Sequence, residues 1–494
     1  MALISLLVTA LAAAAIGNPQ EPSASTSAPT ATAAPEDIFD AYDDSLYSGR
    51  YAEALALASK LPTNSGNRSG RALVLGMQGA ALLGLNREEE SAKLFAQADT
   101  LAPQEPFPTK LRFRIALLTK NFDVAADAID RMIARYPDVA RELQWRTFVF
   151  FLTNVSKSDI RRNEDRLIAL ARLGYGADAD HGDQIAEMAV GALVKRGDDA
   201  GARELLPYID QPRAAQTLLI QKRYAALWPS LEQQAGLHLK KMTASSVSNA
   251  ERGYAAAPSD PIKLVQLVEA YRGAGRLDDA IALRAKLPAT LSKADEKFGW
   301  AMNSIALALS EKGKIGEADQ LFASLGDADH EGREWRLNMK MNRLESLVTA
   351  GRFERALPLL EQTQAVVQSA GNAHAQQMIR RLRYCTYHRL AMTDKASAIL
   401  PDLLGKATDA PDATIDALLC ANDIDKAEVV AKAALADEAF EVKFVRMFQP
   451  DMLVGQSPTV WSTQWPKLRA RPSIAAAYEK LARDLPKQFL VKAP

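Results

Sequence analysis

An all-α solenoid built from antiparallel helix pairs is the fold this sequence predicts, and three observations carry the prediction. A short phrase returns nine times along the chain: a turn residue, often Gly, then a polar residue, an apolar one, two mostly polar ones and Ala. Apolar residues recur at helical spacing, and no alternating strand pattern of useful length is present. Ala is abundant while aromatic residues are only 7%, which favours closely packed helices over sheets.

Taken from the start, Ala2–Ile16 is apolar or small, interrupted only by Ser5 and Thr9, and Ala15-Ile16-Gly17 has the small-x-small form of a cleavage site. Residues 1–17 therefore read as a signal peptide, although no Lys or Arg precedes the apolar run. That run is too short for a comfortable membrane span. The expectation is a periplasmic or secreted protein with no stable membrane span after processing. Residues 18–35 hold Pro, Ser, Thr and Ala with one charge, Glu21, a linker composition that cannot bury a core.

The phrase is clearest as Gly275-Arg276-Leu277-Asp278-Asp279-Ala280, Gly313-Lys314-Ile315-Gly316-Glu317-Ala318 and Gly351-Arg352-Phe353-Glu354-Arg355-Ala356, in two steps of 38 residues. It appears earlier from Gly49 and Lys120, and more weakly from Asn86, Gly197, Ala391 and Asn422. Gly tolerates the left-handed conformation that ends a helix. The acidic residues after it favour the positive end of the next helix. Ala permits close approach, and a large apolar residue often follows four positions later on the same face: Phe95, Ile129, Leu206, Phe322, Leu360, Leu400. Pro103 and Pro137 close their repeats at one common offset.

This pattern resembles the tetratricopeptide repeat family, with its unit of about 34 residues, Gly before the second helix, Ala within it and Pro at the end. The likeness covers about 36–436. Two repeat blocks, 36–137 and 263–436, flank a degenerate stretch, 138–262, where the superhelix can break into two lobes, and the likeness is strongest over 36–137 and 262–405. Several steps exceed 34, and the usual Trp, Leu and Tyr positions of the first helix are poorly kept. Residues 437–494, with Phe440, Phe444, Met447, Phe448, Met452, Trp461, Trp465 and a last helix near Pro472–Leu485, read as a helical cap over the final apolar face. The resemblance implies a non-catalytic interaction scaffold that holds a protein or peptide in a concave groove. An accessory role in envelope or exopolysaccharide assembly is the alternative, and an unrecognised cell-wall sugar hydrolase is a third.

Motifs for chemistry are scarce. HExxH, GxSxG, GxxxxGK[ST] and GxGxxG do not occur. Asp178-Ala179-Asp180-His181-Gly182-Asp183 resembles a calcium loop but lacks Gly at its sixth and Glu at its twelfth position. Glu345-Ser346 matches the pair carried by lytic transglycosylases, but it sits in a repeat helix just before Gly351. The five histidines (181, 238, 330, 374, 388) are scattered, so neither a metal nor another cofactor is expected. Cys385 and Cys420 read as buried small apolar residues, while an oxidising compartment would permit a bridge.

Lys+Arg and Asp+Glu are both 60, so no global field points to nucleic acid. One local excess exists: from Arg333 to Arg389 there are ten Lys/Arg against four Asp/Glu. Lys340 and Arg380 lie eleven residues before their turns, and Arg343 and Arg383 lie eight before. Matching offsets put these four on the same side of neighbouring first helices. They are the candidate partner-binding residues, and an anionic partner suits them.

Overall fold

The computed structural model describes residues 35–61, 67–143, 145–155, 160–175, 182–209, 211–235, 239–290, 296–325, 334–449 and 459–489. The predicted signal peptide and nearly all of the linker lie outside these residues. Among the described residues the structure is α-helical, with short 3-10 turns and no strand beyond one isolated bridge, Gln221 with Ala482. The chain divides into two compact units between Leu193 and Val194, inside the stretch whose repeats are degenerate.

The first unit holds α1 (Pro35–Tyr47), α2 (Tyr51–Lys60), α3 (Arg68–Gly84), α4 (Glu88–Leu101), α5 (Phe107–Leu118), α6 (Phe122–Arg135), α7 (Pro137–Arg141), α8 (Trp145–Asn154), α9 (Ile160–Arg172) and most of α10 (Gly182–Lys195). Helices α1 and α2, α3 and α4, and α5 and α6 pack as antiparallel pairs, and the first helices α3 and α5 lie against each other. Tyrosine hydroxyls stitch successive repeats: Tyr42 donates to Met77 O (2.7 Å), Tyr136 to Pro103 O (2.8 Å) and Tyr175 to Leu143 O (2.6 Å). Each joins residues 32 to 35 apart, one repeat step.

The second unit holds α11 (Asp199–Leu205), α12 (Pro212–Ile220), α13 (Trp228–Ala235), α14 (Leu239–Ala256), α15 (Pro261–Gly273), α16 (Leu277–Ala282), α17 (Glu296–Glu311), α18 (Ile315–Ala323), α19 (Glu334–Thr349), α20 (Phe353–Ala370), α21 (Ala373–Arg389), α22 (Thr393–Gly405), α23 (Pro411–Cys420), α24 (Ile424–Ala436), α25 (Glu441–Met447), α26 (Trp465–Arg469) and α27 (Pro472–Leu481). From α15 to α24 it is a run of five pairs, and each first helix (α15, α17, α19, α21, α23) packs on the next. Lys222–Leu227, a partial copy of the repeat phrase, forms only a short 3-10 helix.

All nine turn residues of the recurring phrase have positive φ, from 56° at Ala391 to 77° at Gly313, and Gly174 adds a tenth turn that the sequence pattern does not reveal. The closing hydrogen bonds are those of a helix C-cap: the amides of Lys314, Arg352 and Met392 donate back to Leu309, Leu347 and Tyr387 at 2.8 Å each. The Ala that follows the turn is fully buried at 54, 125, 202, 280, 318, 356 and 427. At the Asn86 copy Ser91 takes its place, buried, with its hydroxyl donating to Gly79 O (2.7 Å). The apolar residue four positions on is buried at Phe95, Ile129, Leu206, Phe322 and Leu360, and partly buried at Leu400.

Cys385 on α21 and Cys420 on α23 form a disulfide, with Cα atoms 5.6 Å apart. Both are buried, as their apolar character implies, but they do not stand apart as separate core residues. Packing of adjacent first helices brings residues 35 positions apart within bonding reach, which spacing alone does not disclose.

Two outcomes follow for stability. A Cβ at Gly313 meets nothing within 4 Å, so Gly313→Ala isolates the backbone term. Left-handed strain of ~1–2 kcal/mol less an entropy gain of ~0.4–1 kcal/mol leaves a loss of about 1 kcal/mol, and Ala391→Gly should gain a similar amount. Urea unfolding midpoints would read both. Opening the Cys385–Cys420 bridge, which closes a 35-residue loop, should cost about 2–4 kcal/mol. That is read by comparing unfolding with and without a thiol reductant and with the double Ala variant.

Candidate functional site

The first helices of the second unit join one another through polar side chains. Arg272 on α15 pairs with Glu311 on α17. The Asn342 amide on α19 donates to Asn303 on α17 (2.8 Å), and Ser310 and Ser346 share a hydrogen bond (2.5 Å). Arg381 on α21 is buried between two carboxylates, Glu345 on α19 and Asp416 on α23, the latter at 2.9 Å. Glu345 and Asp416 both stand six residues before their turns. That offset, rather than eight or eleven, faces the neighbouring first helix. Glu345-Ser346 is therefore a piece of the repeat lattice.

The four candidate residues do not form one cluster. Arg343 reaches the preceding second helix, where its Nε lies 2.6 Å from Asp319 on α18. Asp319 is buried and also meets Arg355 from α20. Lys340 lies one turn before Arg343, partly buried. Arg380 and Arg383 do come together. They line a cavity of about 480 Å³ between the second helices α20 and α22, with α21 between them. Gln364 and Gln368 from α20, Gln376 from α21 and Lys395 from α22 share it, above an apolar base that includes Ile379 and Ile399.

Arg380 donates to Gln377 (3.1 Å), and the Arg383 guanidinium lies over the Tyr387 ring at 5.6 Å. Among the described residues neither forms an ion pair with a carboxylate, whereas Lys395 sits 3.6 Å from Glu361. The cavity thus offers two planar cations and side-chain amides, with the carboxylates Glu361 and Asp402 on the same lining and the Gln376 amide already donating to Gly371 O, a set suited to a segment with amide groups and charges of both signs. No sequence signal marked the glutamines, because they recur in no repeat phrase.

A second polar centre was missed in the sequence. Arg381 lies over the Trp461 ring at 5.4 Å, and the Trp465 indole N–H donates to Asp416 (3.0 Å). Burial, helped by the Asp412 carboxylate, pushes Asp416 up to about 6, with Arg381 and Trp465 working against the rise. Removal from water is the main reason a proton is retained. Burial also works to raise Asp412, but Lys443 at 2.7 Å, with Arg381 and His374, holds it below the usual range. Two carboxylates moved in opposite directions resemble an acid–base pair. Here the oxygens of Asp416 are taken by Arg381 and Trp465, and Asp412 is held by Lys443.

Among the described residues no group of three or more His, Cys, Asp or Glu is placed to hold a metal ion, and no helix is long and apolar enough to cross a membrane. His181, His238, His330 and residues 178–181 of the calcium-like stretch lie outside the described residues, and Gly182 opens α10.

The pH dependence of the second unit follows from Asp416. Between its ordinary value near 3.8 and about 6, the folded state keeps a proton that the unfolded chain has lost. Stability therefore falls as pH rises through this window, by about 3 kcal/mol at 1.36 kcal/mol per unit. His374, lowered mainly by its burial, acts in the opposite sense, since its contribution is lost as pH falls below its ordinary 6.5. Asp416→Asn separates the two. Melting of the variant should lose the part of the pH 4 to 6 decline that is due to Asp416, and an unchanged slope would count against the assignment.

No protein-family model and no curated protein matches the chain. Solved structures do match over most of its length. The APC/C hetero-tetramer Cut9–Hcn1 is 12% identical, covering 84% of this chain and 96% of its own, with a TM-score of 0.29. The P58(IPK) TPR domain is 11% identical, covering 81% and 99%, with a TM-score of 0.20. Naa15/Naa10 bound to HypK-THB is 13% identical, covering 90% and 79%, with a TM-score of 0.18. At these TM-scores the solenoid assignment rests on this chain's own turns and helix pairs.

Proposed function

We propose that this chain is a non-catalytic interaction scaffold of the periplasm or cell envelope, holding a protein or peptide partner on its helix-pair array. The observation that carries the reading is the pair Arg380 and Arg383, in ion pairs with no carboxylate among the described residues, in a cavity whose lining also holds three glutamines and the carboxylates Glu361 and Asp402. Side-chain amides satisfy peptide groups, and guanidinium groups favour an acidic segment. The Cys385–Cys420 bridge supports an oxidising compartment, in keeping with the apolar start of the sequence. Arg343 serves the fold instead, since a Glu there would oppose buried Asp319 and damage the packing of α18 and α19.

The test uses the full chain as bait in native envelope extract, alongside Arg380→Glu/Arg383→Glu. The unaltered chain should retain a partner polypeptide at 0.1 M salt and release it at 1 M, where the Debye length falls from about 10 Å to about 3 Å. The variant should keep its melting temperature and lose the partner. Equal retention by both would remove the cavity as the site. Capture of an acidic polysaccharide in place of a polypeptide would favour the role in envelope or exopolysaccharide assembly.

A further inference from the structure

The cavity that holds Arg380 and Arg383 has two chemically different ends. At the end nearest the Ala391 turn, Lys395 on α22 pairs with Glu361 on α20 (3.6 Å) and lies over the Tyr387 ring (5.4 Å). At the other end α20 gives way to α21 through Gly371 and Asn372, and the Gln377 amide on α21 donates to Leu403 O on α22 (2.7 Å). Asp402, next to Leu403, therefore stands level with Gln376 on the lining. Arg380 and Arg383 lie four and seven residues further along α21. At a rise of about 1.5 Å per residue, that sets them about 6–10 Å from the level of Asp402 along the helix axis.

Charge is left unmatched at both places. Asp402 is exposed and its carboxylate forms no ion pair or hydrogen bond among the described residues, although two guanidinium groups share its cavity. Arg383 Nε is buried with no hydrogen-bond partner among the described residues. An arginine short of acceptors costs stability, and an anionic occupant at its Nη atoms offsets that cost. Glu361, by contrast, is already matched by Lys395. The unmatched charges are thus one carboxylate and then two cations, in a fixed order. An unbroken acidic run would set a like charge against Asp402, whereas a chain with both signs in the matching order would not. The aliphatic stem of a basic side chain reaching Asp402 would pass over Ile379 and Ile399 at the apolar base.

We propose that Asp402 is a specificity-determining residue of this cavity, and that the partner presents an extended segment with charges of both signs. A Lys or Arg of the segment meets Asp402, and an Asp or Glu two or three positions away lies between Arg380 and Arg383. That spacing follows from the ~6–10 Å between the two places on α21 and a rise of about 3.3 Å per extended residue. This specificity rests on the cavity being the partner site, and it fixes which charges the partner carries there and in what order.

Surface-tethered heptapeptides with blocked ends test this on the full chain at about 0.1 M salt. Each carries one Lys and one Glu, two or three positions apart in a Gly-Ser background, beside counterparts with two Glu or two Lys. The Lys/Glu peptides should retain the unaltered chain about tenfold more strongly than the two-Glu peptides, the effect of one charge-assisted contact. Asp402→Lys, at an exposed position, should keep its melting temperature and reverse that order. If the unaltered chain prefers the two-Glu peptides, or if Asp402→Lys leaves the order unmoved, the proposal is overturned. Arg380→Glu/Arg383→Glu tells the two readings apart. Loss of two-Glu binding in that variant would keep the cavity as the partner site while removing Asp402 from it. Equal retention of every peptide by all three chains, or retention of none, overturns the proposal and leaves the partner captured from extract to decide the cavity itself.

Discussion

The left-handed residue between paired helices is the constraint on which the rest depends. A helix that ended without it would leave carbonyls unsatisfied and would not reverse direction in so few residues. With φ positive at each turn, the next helix runs back antiparallel, and the buried Ala five positions on sets how closely the two approach. Six of the ten turn positions are Gly, where the conformation is free of steric cost. At Asn86, Lys120, Ala391 and Asn422 a side chain is carried at positive φ, which shows that the surrounding array can impose the turn.

Charge illustrates how the array redistributes what the sequence places locally. Between residues 333 and 389 cations outnumber acids by six, yet this does not become a broad positive surface. Arg343 and Arg355 meet Asp319 from before that window, and Arg381 meets Asp416 from after it. A repeat step of 31 to 40 residues sets each first helix beside neighbours drawn from outside any short window. What remains is local: Arg380 and Arg383, turned toward the second helices and gathered with amides.

The end of the second unit does more than cover the last helix. Helices α25, α26 and α27 pack on α24, and Phe444, Phe448, Trp465 and Tyr478 form a chain of ring contacts there. The same segment then returns to α12 and α13, so the beginning and end of this unit are in contact. A terminal cap needs only to shield apolar surface. This one also ties the unit to its own beginning through backbone and guanidinium hydrogen bonds.

The sequence by itself determined the fold class and nearly every turn, because helix pairing here is a local matter: a left-handed residue, an acidic first turn and a small residue at fixed offsets. Gly174 escaped because no phrase of the usual form follows it. Tertiary structure alone decided which positions face inward. Arg343 and Arg383, eight before their turns, and Arg380, eleven before, look toward the second helices, while Glu345 and Asp416, six before, face the neighbouring first helix, and a pattern of residue types does not encode that rotation. The disulfide, the Glu345–Arg381–Asp416 row and the return of Arg483 to Leu219 join residues from 35 to 264 positions apart. Such contacts are set by how whole helices stack, and the stacking is a sum over many apolar surfaces that no single stretch of sequence records.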